Sequence, residues 1–275
     1  MNIASYGYVS KILEERELSA KKKFGQNFLI DANIVDKIAR NACVADTCIE
    51  IGPGLGALSE MLLKYCQELY AYEIDEDMVE CLHRVFEEEE RMHVEYTDFL
   101  DVDLESVPYK DQDICVCSNL PYYVTTPILF KLFESDLKIR KITVMVQKEV
   151  ADRFKADTGS EDYNALSVIV RYLYDVKYEM SVSKNVFYPK PKVDSAVISF
   201  TPKRERDKAF EKEFFELVKN CFRMRRKTLR NNLKDLYDEE MISKIITSLN
   251  KKDSVRAQEL SLEDYLKMME VIHER

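Results

Sequence analysis

The residues around position 50 constrain the fold of this chain more than any other stretch. Thr47 to Ile51 has the composition of a short apolar strand, residues 52–56 form a glycine-rich turn (GPGLG), and Ala57 to Tyr65 has the pattern of a helix. This order is typical of the first βαβ unit of a doubly wound α/β sheet, where glycines let the backbone approach a ligand closely. We therefore predict an α/β fold with a ligand at this turn.

The spacing of the glycines narrows the class of ligand. They follow G-x-G-x-G rather than the G-x-G-x-x-G of dinucleotide-binding turns, and Pro53 is a further departure from that pattern. No Gly-Lys-Ser/Thr follows, so the turn is not a phosphate-binding P-loop. Glu50, just before the first glycine, suits a ligand that carries a cationic amino-acid group.

Polar residues recur where successive strands end. We predict four strands, at 47–51, 68–74, 93–96 and 114–117. The first leads into the glycine turn, and the next three are followed or ended by Glu73, Asp98 and Asn119. Glu73 lies 17 residues beyond Gly56, about where an acid binds ribose hydroxyls in such folds. Because ligands bind at the carboxyl ends of strands in open α/β sheets, these side chains predict one site.

The fourth strand runs into the turn Asn119-Leu120-Pro121-Tyr122. The side-chain oxygen of Asn119 and a backbone carbonyl of the turn can accept hydrogen bonds from an NH2 group. Pro121 stiffens the turn by fixing φ, and Tyr122 offers a face on which a base can stack. An isolated turn of this kind is more often a strand end with a buried tyrosine, so its interpretation depends on the rest of the chain.

Two other loops leave two interpretations open. Residues 21–31 (KKKFGQNFLID) are either a solvated charge run before a helix cap or a basic lip with a loop that closes over a ligand. Residues 187–192 (FYPKPK) contain two prolines, which predicts an exposed, extended loop. Phe187 then either packs into a local cluster or provides a second stacking face.

The composition changes at 201–208, and everything after it has helical patterns. We predict three parts: an N-terminal extension at 1–20 formed by a peripheral mixed-charge helix, an α/β domain at 21–203, and a small α-helical domain at 204–275. Within the α/β domain, residues 165–174 are rich in β-branched and aromatic side chains and predict a further strand.

The net charge of −9 disfavours a nucleic-acid partner, but the charges are unevenly distributed. Residues 217–234 contain seven bases and no acid. Local patches decide what binds where. We expect phosphate contacts from the bases of this segment and from the lysines of the first loop: Arg223, Arg225, Arg226, Lys227, Arg230, Lys21, Lys22 and Lys23.

The sequence also predicts a compartment. No apolar run approaches the ~18 residues of a membrane span, and the N-terminus has no apolar signal core, so we expect a cytoplasmic protein without membrane contact. The seven cysteines are irregularly spaced, and Cys115-x-Cys117 falls within a strand. This pattern indicates neither a zinc nor a disulfide framework, so we interpret the cysteines as reduced, small apolar residues and expect no metal.

Five blocks together carry a family resemblance: FGQNFL at 24–29, EIGPGLG at 50–56, NLPYYVTTP at 119–127, FYPKPKVDSAV at 187–197 and FRMRRKTLRNNL at 222–233. From about Lys21 to the C-terminus the chain resembles the small-subunit ribosomal RNA adenine dimethyltransferases. The resemblance implies a class I, Rossmann-like methyltransferase domain that uses S-adenosylmethionine, followed by a small helical domain that binds RNA. The implied reaction is N6,N6-dimethylation of two adjacent adenosines near the 3′ end of small-subunit rRNA. We expect a monomer that acts on a pre-30S particle.

The resemblance also implies roles for individual residues. The cofactor would be held by the closing loop (Asn27, Leu29), the glycine turn (Gly52, Gly54), the ribose-binding acid and its neighbour (Glu73, Ile74), the adenine-binding pair (Asp98, Phe99), and Asn119. The target amine would be held by Asn119, Leu120, Pro121 and Tyr122, with Tyr122 and Phe187 stacking on the flipped base.

Two alternatives remain at this stage. One is the related large-subunit rRNA methyltransferase that confers macrolide resistance, which shares the Asn-x-Pro-Tyr region; the loop at 187–197 and the basic segment at 222–233 favour the small-subunit enzyme. The other is a mainly non-catalytic ribosome-assembly or RNA-binding factor. Retention of the whole set of cofactor residues argues against a purely structural role.

Overall fold

The computed structural model describes residues 3–15, 26–121, 124–203 and 205–274, so the predicted site residues Lys21, Lys22, Lys23 and Tyr122 lie outside the described residues. The strands are β1 Phe28–Leu29, β2 Thr47–Ile51, β3 Glu68–Glu73, β4 Met92–Tyr96, β5 Asp113–Asn119, β6 Lys138–Gln147, β7 Tyr174–Val182, β8 Phe187–Tyr188 and β9 Ser195–Pro202. The α-helices are α1 Tyr6–Glu15, α2 Ala32–Ala42, α3 Ala57–Leu62, α4 Glu76–Val85, α5 Thr125–Glu134, α6 Lys148–Arg153, α7 Ala165–Leu173, α8 Lys208–Cys221, α9 Leu229–Leu233, α10 Glu239–Ser248 and α11 Leu262–His273.

The chain forms two compact units. The first contains Met1–Ala151 and Val176–Pro202, and the second contains Asp152–Asp175 and Lys203–Arg275. The second unit therefore includes residues 152–175, which lie inside the predicted α/β domain.

A seven-stranded sheet forms the centre of the first unit, in the order β4-β3-β2-β5-β6-β9-β7. The strands from β4 to β6 pair in parallel, and β9 pairs antiparallel to β6. All five residues of β2 are buried, as expected for a central parallel strand covered on both faces. Because the strand order reverses between β2 and β5, the carboxyl ends of these two strands form the position where doubly wound sheets bind ligands. The predicted α/β fold is confirmed.

The N-terminal segment is a helix, as predicted, but it is not peripheral. Tyr8, Val9 and Leu13 of α1 are buried and belong to the same apolar cluster as residues of α2, α3 and β2. The ring of Tyr6 also meets that of Tyr188 edge to face, with centroids 5.1 Å apart. The mixed charges predicted a solvated helix, whereas the structure buries its apolar face in the core of the first unit.

The segment 187–192 differs from the prediction of an exposed loop in its first two residues, whereas Pro189, Lys190 and Lys192 are exposed as predicted. Phe187 and Tyr188 form β8, which pairs antiparallel with β1. The Phe187 side chain is only 3% exposed and lies in the core cluster. The two prolines indicated an extended conformation correctly, but short extended segments also pair, and this pairing buries the ring.

The predicted strand at 165–174 is wrong, because residues 165–173 form the helix α7. The helix begins with a capping box, in which the Asn164 side chain accepts from the backbone N–H of Ser167 and the Ser167 hydroxyl accepts from the backbone N–H of Asn164. Seven of its nine residues are buried. The segment is a short apolar run rich in β-branched and aromatic residues, and composition alone does not distinguish a buried helix from a buried strand in such a run.

The second unit is helical, as predicted for its C-terminal part. Its core includes Phe214, Leu233 and Tyr265, each fully buried, and the Tyr172 ring packs on Phe214 with centroids 4.8 Å apart. Within the described part of the chain, no helix is long and apolar enough to cross a membrane.

Candidate active site

A cleft opens at the carboxyl edge of the sheet in the first unit. Its wall combines the β2 end and glycine turn, the ends of β3 and β5, the segment 97–99 after β4, the loop at 26–29, and residues of α1 and α5. This position coincides with the strand-order reversal described above.

The glycine turn brings main chain to the cleft. Gly52 and Gly54 have φ values of +70° and +58°, which residues other than glycine rarely adopt. A Cβ atom on Gly54 would lie 3.1 Å from the ring of Phe28. The turn therefore requires glycine for its backbone conformation and, at Gly54, for space as well.

Glu73 is fixed at the end of β3 and is 5% exposed. Its two carboxylate oxygens accept from the backbone N–H groups of Gly54 and Asp75, each at 3.0 Å. Burial raises the pKa of Glu73, and these backbone donors oppose the rise. Since a carboxylate offers about four acceptor positions, this oriented group keeps capacity for a ligand hydroxyl.

Glu50 lies deeper in the cleft wall and is 1% exposed. The hydroxyl of Ser59 donates to its carboxyl at 2.6 Å. Burial raises the pKa of Glu50 to about 8, and the Ser59 bond opposes part of that rise. The group is therefore mostly protonated at neutral pH, and a cationic ligand group beside it would favour its ionised form.

Asn119 ends β5 with a defined orientation. Its side-chain NH2 donates to the backbone oxygen of Asn27 at 3.1 Å. This bond uses the amide nitrogen, so the amide oxygen is the atom left to accept. The same bond ties the β5 end to the loop at 26–29.

The neighbouring turn is held by its own main chain. Leu120 N–H donates to the backbone oxygen of Met145 at 3.2 Å. The backbone oxygen of Pro121 accepts from Val124 N–H and from the Thr125 hydroxyl, each at 3.2 Å. Residues 119–121 are therefore anchored between β6 and the start of α5.

Comparison with known proteins identifies the family of this chain. The model of the family described as ribosomal RNA adenine dimethylase matches residues 17–274. A relative from Mycoplasmopsis pulmonis, named Ribosomal RNA small subunit methyltransferase A, is 43% identical over 249 residues, which cover 90% of this chain and 97% of the relative. A relative of the same name from Bacillus cytotoxicus is 39% identical over 277 residues, which cover 96% of this chain and 95% of the relative. This chain belongs to the ribosomal RNA adenine dimethylase family.

Solved structures support the fold of this dimethylase. A dimethyladenosine transferase from Plasmodium falciparum aligns with a TM-score of 0.72 at 24% identity, covering 90% of this chain and 97% of that one. The 23S rRNA methyltransferase ErmE aligns with a TM-score of 0.66 at 22% identity, covering 90% of this chain and 100% of that one. At these identities the two structures support a common fold rather than a common substrate.

The dimethylase cleft gathers most of the predicted site residues. All nine predicted cofactor residues line it: Asn27, Leu29, Gly52, Gly54, Glu73, Ile74, Asp98, Phe99 and Asn119. Leu120 and Pro121 line it as well, whereas the buried Phe187 is not part of its wall. The individual roles of these residues, including stacking by Phe187, stay predictions.

Several wall residues had no signal in the sequence. Val9 reaches the cleft from α1, and Ile128 reaches it from α5. Gln26 could have been suspected as part of FGQNFL, and its side chain donates to Asp75 at 2.7 Å. The apolar wall residues could not be found this way, because only tertiary packing brings them to the cleft.

Not all bases of the segment 222–233 in the second unit are available for phosphate contacts, because some form ion pairs. Arg223 pairs with Asp235, and Arg230 pairs with Glu239 and, at 2.9 Å, with Asp253. The expectation that these bases lack acidic neighbours is therefore wrong for both arginines, because the paired acids lie 9 to 23 residues further along the chain, beyond the end of the basic segment. The remaining three bases, Arg225, Arg226 and Lys227, are exposed and form no ion pair with any residue that the structure describes.

Proposed function

We propose that this protein is an S-adenosylmethionine-dependent enzyme that dimethylates N6 of two adjacent adenosines near the 3′ end of small-subunit rRNA. Its membership of the dimethylase family and the names of relatives at 39–43% identity support the reaction and the choice of subunit. The similarity to ErmE, at 22% identity, does not favour the large-subunit alternative. The observation that carries the proposal is the oriented Asn119 amide beside the acid-lined cleft.

The cleft fits S-adenosylmethionine by its donor and acceptor chemistry. The glycine turn lines the cleft with backbone at positive φ, which suits close approach of the methionine portion. Glu73 offers an oriented acceptor for ribose hydroxyls, and Glu50 offers a carboxyl to a cationic amino group. Asp98 and Phe99 lie beyond β4, where the cofactor adenine would bind.

The target amine would be held by two acceptors. One is the side-chain oxygen of Asn119, whose NH2 is already used by Asn27. The other is the backbone oxygen of Leu120, because the oxygen of Pro121 is already occupied by Val124 and Thr125. Accepting both N6 hydrogens favours a more pyramidal nitrogen and directs its lone pair into the cleft.

The chemistry demands positioning more than a reactive side chain. When bound, S-adenosylmethionine supplies an electrophilic methyl group together with its own leaving group. The protein orients the adenine amine and stabilises the positive charge that develops on it, through the oxygens of Asn119 and Leu120. The N6 proton becomes acidic as transfer proceeds, so water suffices to remove it.

The substrate would reach the cleft as part of a pre-30S particle in the cytoplasm, with the enzyme acting as a monomer. Arg225, Arg226 and Lys227 are the exposed bases best suited to rRNA phosphates. The lysines Lys21, Lys22 and Lys23 are further candidates from the sequence. The target base must leave its stack, at a cost of a few kcal/mol, and stacking by Tyr122 would offset this cost.

The direct test is methylation of 30S particles from a strain that lacks this modification. Purified protein with isotopically labelled S-adenosylmethionine should convert two adjacent adenosines near the 3′ end to dimethyladenosine, mapped by mass spectrometry. Large-subunit rRNA from the same strain serves as the control. Labelling of large-subunit rRNA instead would support the macrolide-resistance type, and absence of label in both would contradict an enzymatic role.

A further inference from the structure

Three cysteine side chains meet at the amino edge of the central sheet, away from the cleft. The Sγ atoms of Cys43, Cys48 and Cys115 all lie within 4.8 Å of one another. Cys48 and Cys115 are directly paired in the register of β2 and β5, and both are fully buried. Cys43 follows the last turn of α2 and is half-buried. Three separate elements therefore contribute thiols to one place.

The separation of the sulfur atoms suits a shared ion. In a tetrahedral zinc site with Zn–S bonds of about 2.3 Å, neighbouring sulfur atoms lie about 3.8 Å apart. Thiols within 4.8 Å reach that distance by side-chain adjustments of about 1 Å or less. The described residues contain no other group of three or more His, Cys, Asp or Glu side chains arranged in this way.

A basic residue lies beside the cysteine cluster. Lys141 pairs with Cys115 in the register of β5 and β6, so a cation lies on the adjacent strand. Its ammonium group donates to the backbone and side-chain oxygens of Asn41 at 2.7 and 2.8 Å, which holds it near the end of α2.

We propose that Cys43, Cys48 and Cys115 form a binding site for a thiophilic divalent cation of the Zn²⁺ type. Soft thiolates select such ions over Mg²⁺ or Ca²⁺. Three thiolates and one divalent cation carry a net charge of −1, which Lys141 balances; a monovalent ion such as Cu⁺ would leave −2.

The site would act on stability and not on methyl transfer. It would link the end of α2 to β2 and β5, at the edge of the sheet opposite the glycine turn. A half-buried Cys43 gives the ion a route from solvent. The sequence gives no signal for this cluster, because Cys48 and Cys115 are 67 residues apart and only strand pairing brings them together.

The test uses full-length protein that has been treated with a chelator and kept reduced with a phosphine. Titration with Cd²⁺ should produce a near-ultraviolet thiolate-to-metal absorbance that saturates at one equivalent. Cys43→Ser and Cys115→Ser should each weaken binding by at least about 100-fold, more than the loss of an outer-shell partner does. Cys221→Ser, at a fully buried cysteine of α8 in the second unit, is the matched control and should bind like the wild type.

A second measurement keeps the proposal testable if Cys115→Ser does not fold. Zn²⁺ should raise the thermal midpoint of the wild type and of Cys221→Ser, reversibly on chelation, and leave that of Cys43→Ser unchanged. Cys43 is half-buried at a helix end, so its variant should fold. Absence of the absorbance in the wild type, or equal saturation in Cys43→Ser, would overturn the proposal.

Discussion

Two acidic residues of the cleft in the first unit and the basic residues of the segment 222–233 in the second unit have contrasting environments. The acids are buried and have no basic partner among the described residues, whereas two of the bases contact solvent and are paired with acids. Glu50 and Glu73 are at most 5% exposed, and their hydrogen bonds come from a hydroxyl and from backbone N–H groups rather than from a base. Arg223 and Arg230 contact solvent and are paired with carboxylates. Buried acids without a basic partner are available to a ligand, whereas paired surface bases are already engaged within the fold.

The largest effect expected from this contrast concerns Glu50 and pH. Its pKa is raised to about 8 by burial, so the folded protein holds a proton that the unfolded chain releases near pH 4.5. Stability from this group is complete below pH 4.5 and declines by about 1.4 kcal/mol per pH unit as pH rises toward 8. Urea unfolding at pH 5 and pH 7.5 should show this decline in the wild type and a smaller one in Glu50→Gln. An equal decline of the unfolding free energy in the wild type and in Glu50→Gln would mean that Glu50 ionises normally in the folded protein.

A smaller effect is expected at Glu73. Glu73→Ala removes the oriented acceptor and should weaken S-adenosylmethionine binding by roughly 1–3 kcal/mol, the scale for hydrogen bonds to a charged group. Glu95→Ala removes an exposed acid from the neighbouring strand β4 and serves as the control. Calorimetry that finds unchanged affinity in a folded Glu73→Ala protein would exclude Glu73 from the ligand contacts.

The smallest effects are expected in the basic segment, where unpaired and ion-paired arginines should respond differently to substitution. Arg225→Ala and Arg226→Ala should each lower the slope of log affinity against log salt, for 30S particles, by about one. Arg230→Ala should change that slope less and thermal stability more, because Arg230 holds Glu239 and Asp253. If Arg230→Ala lowers the slope as much as Arg226→Ala, the ion pairs of Arg230 do not persist on the particle.

The same contrast explains how much the sequence could predict. Glu73, Asp98 and Asn119 were predictable because parallel strands deliver their carboxyl ends to one edge, so position along the chain specifies position in space. The partners of Arg223 and Arg230 were not, because they come from a later turn, helix or loop whose packing leaves no local pattern. The burial of α1 and Phe187, the helical state of 165–173 and the three-cysteine cluster likewise depend on tertiary contacts.

Asn119 provides the most direct test of the account, because its side chain is the one proposed to hold the reacting nitrogen. Single-turnover methylation of 30S particles with saturating cofactor should be slower by ~10²-fold or more in Asn119→Ala, as for the loss of one oriented transition-state hydrogen bond. Asn119→Asp should be less impaired, since a carboxylate still accepts from the amine. Particle affinity should persist in both variants, because phosphate contacts supply most of it. A rate for Asn119→Ala close to that of the wild type would contradict the proposed role of Asn119 in binding the amine.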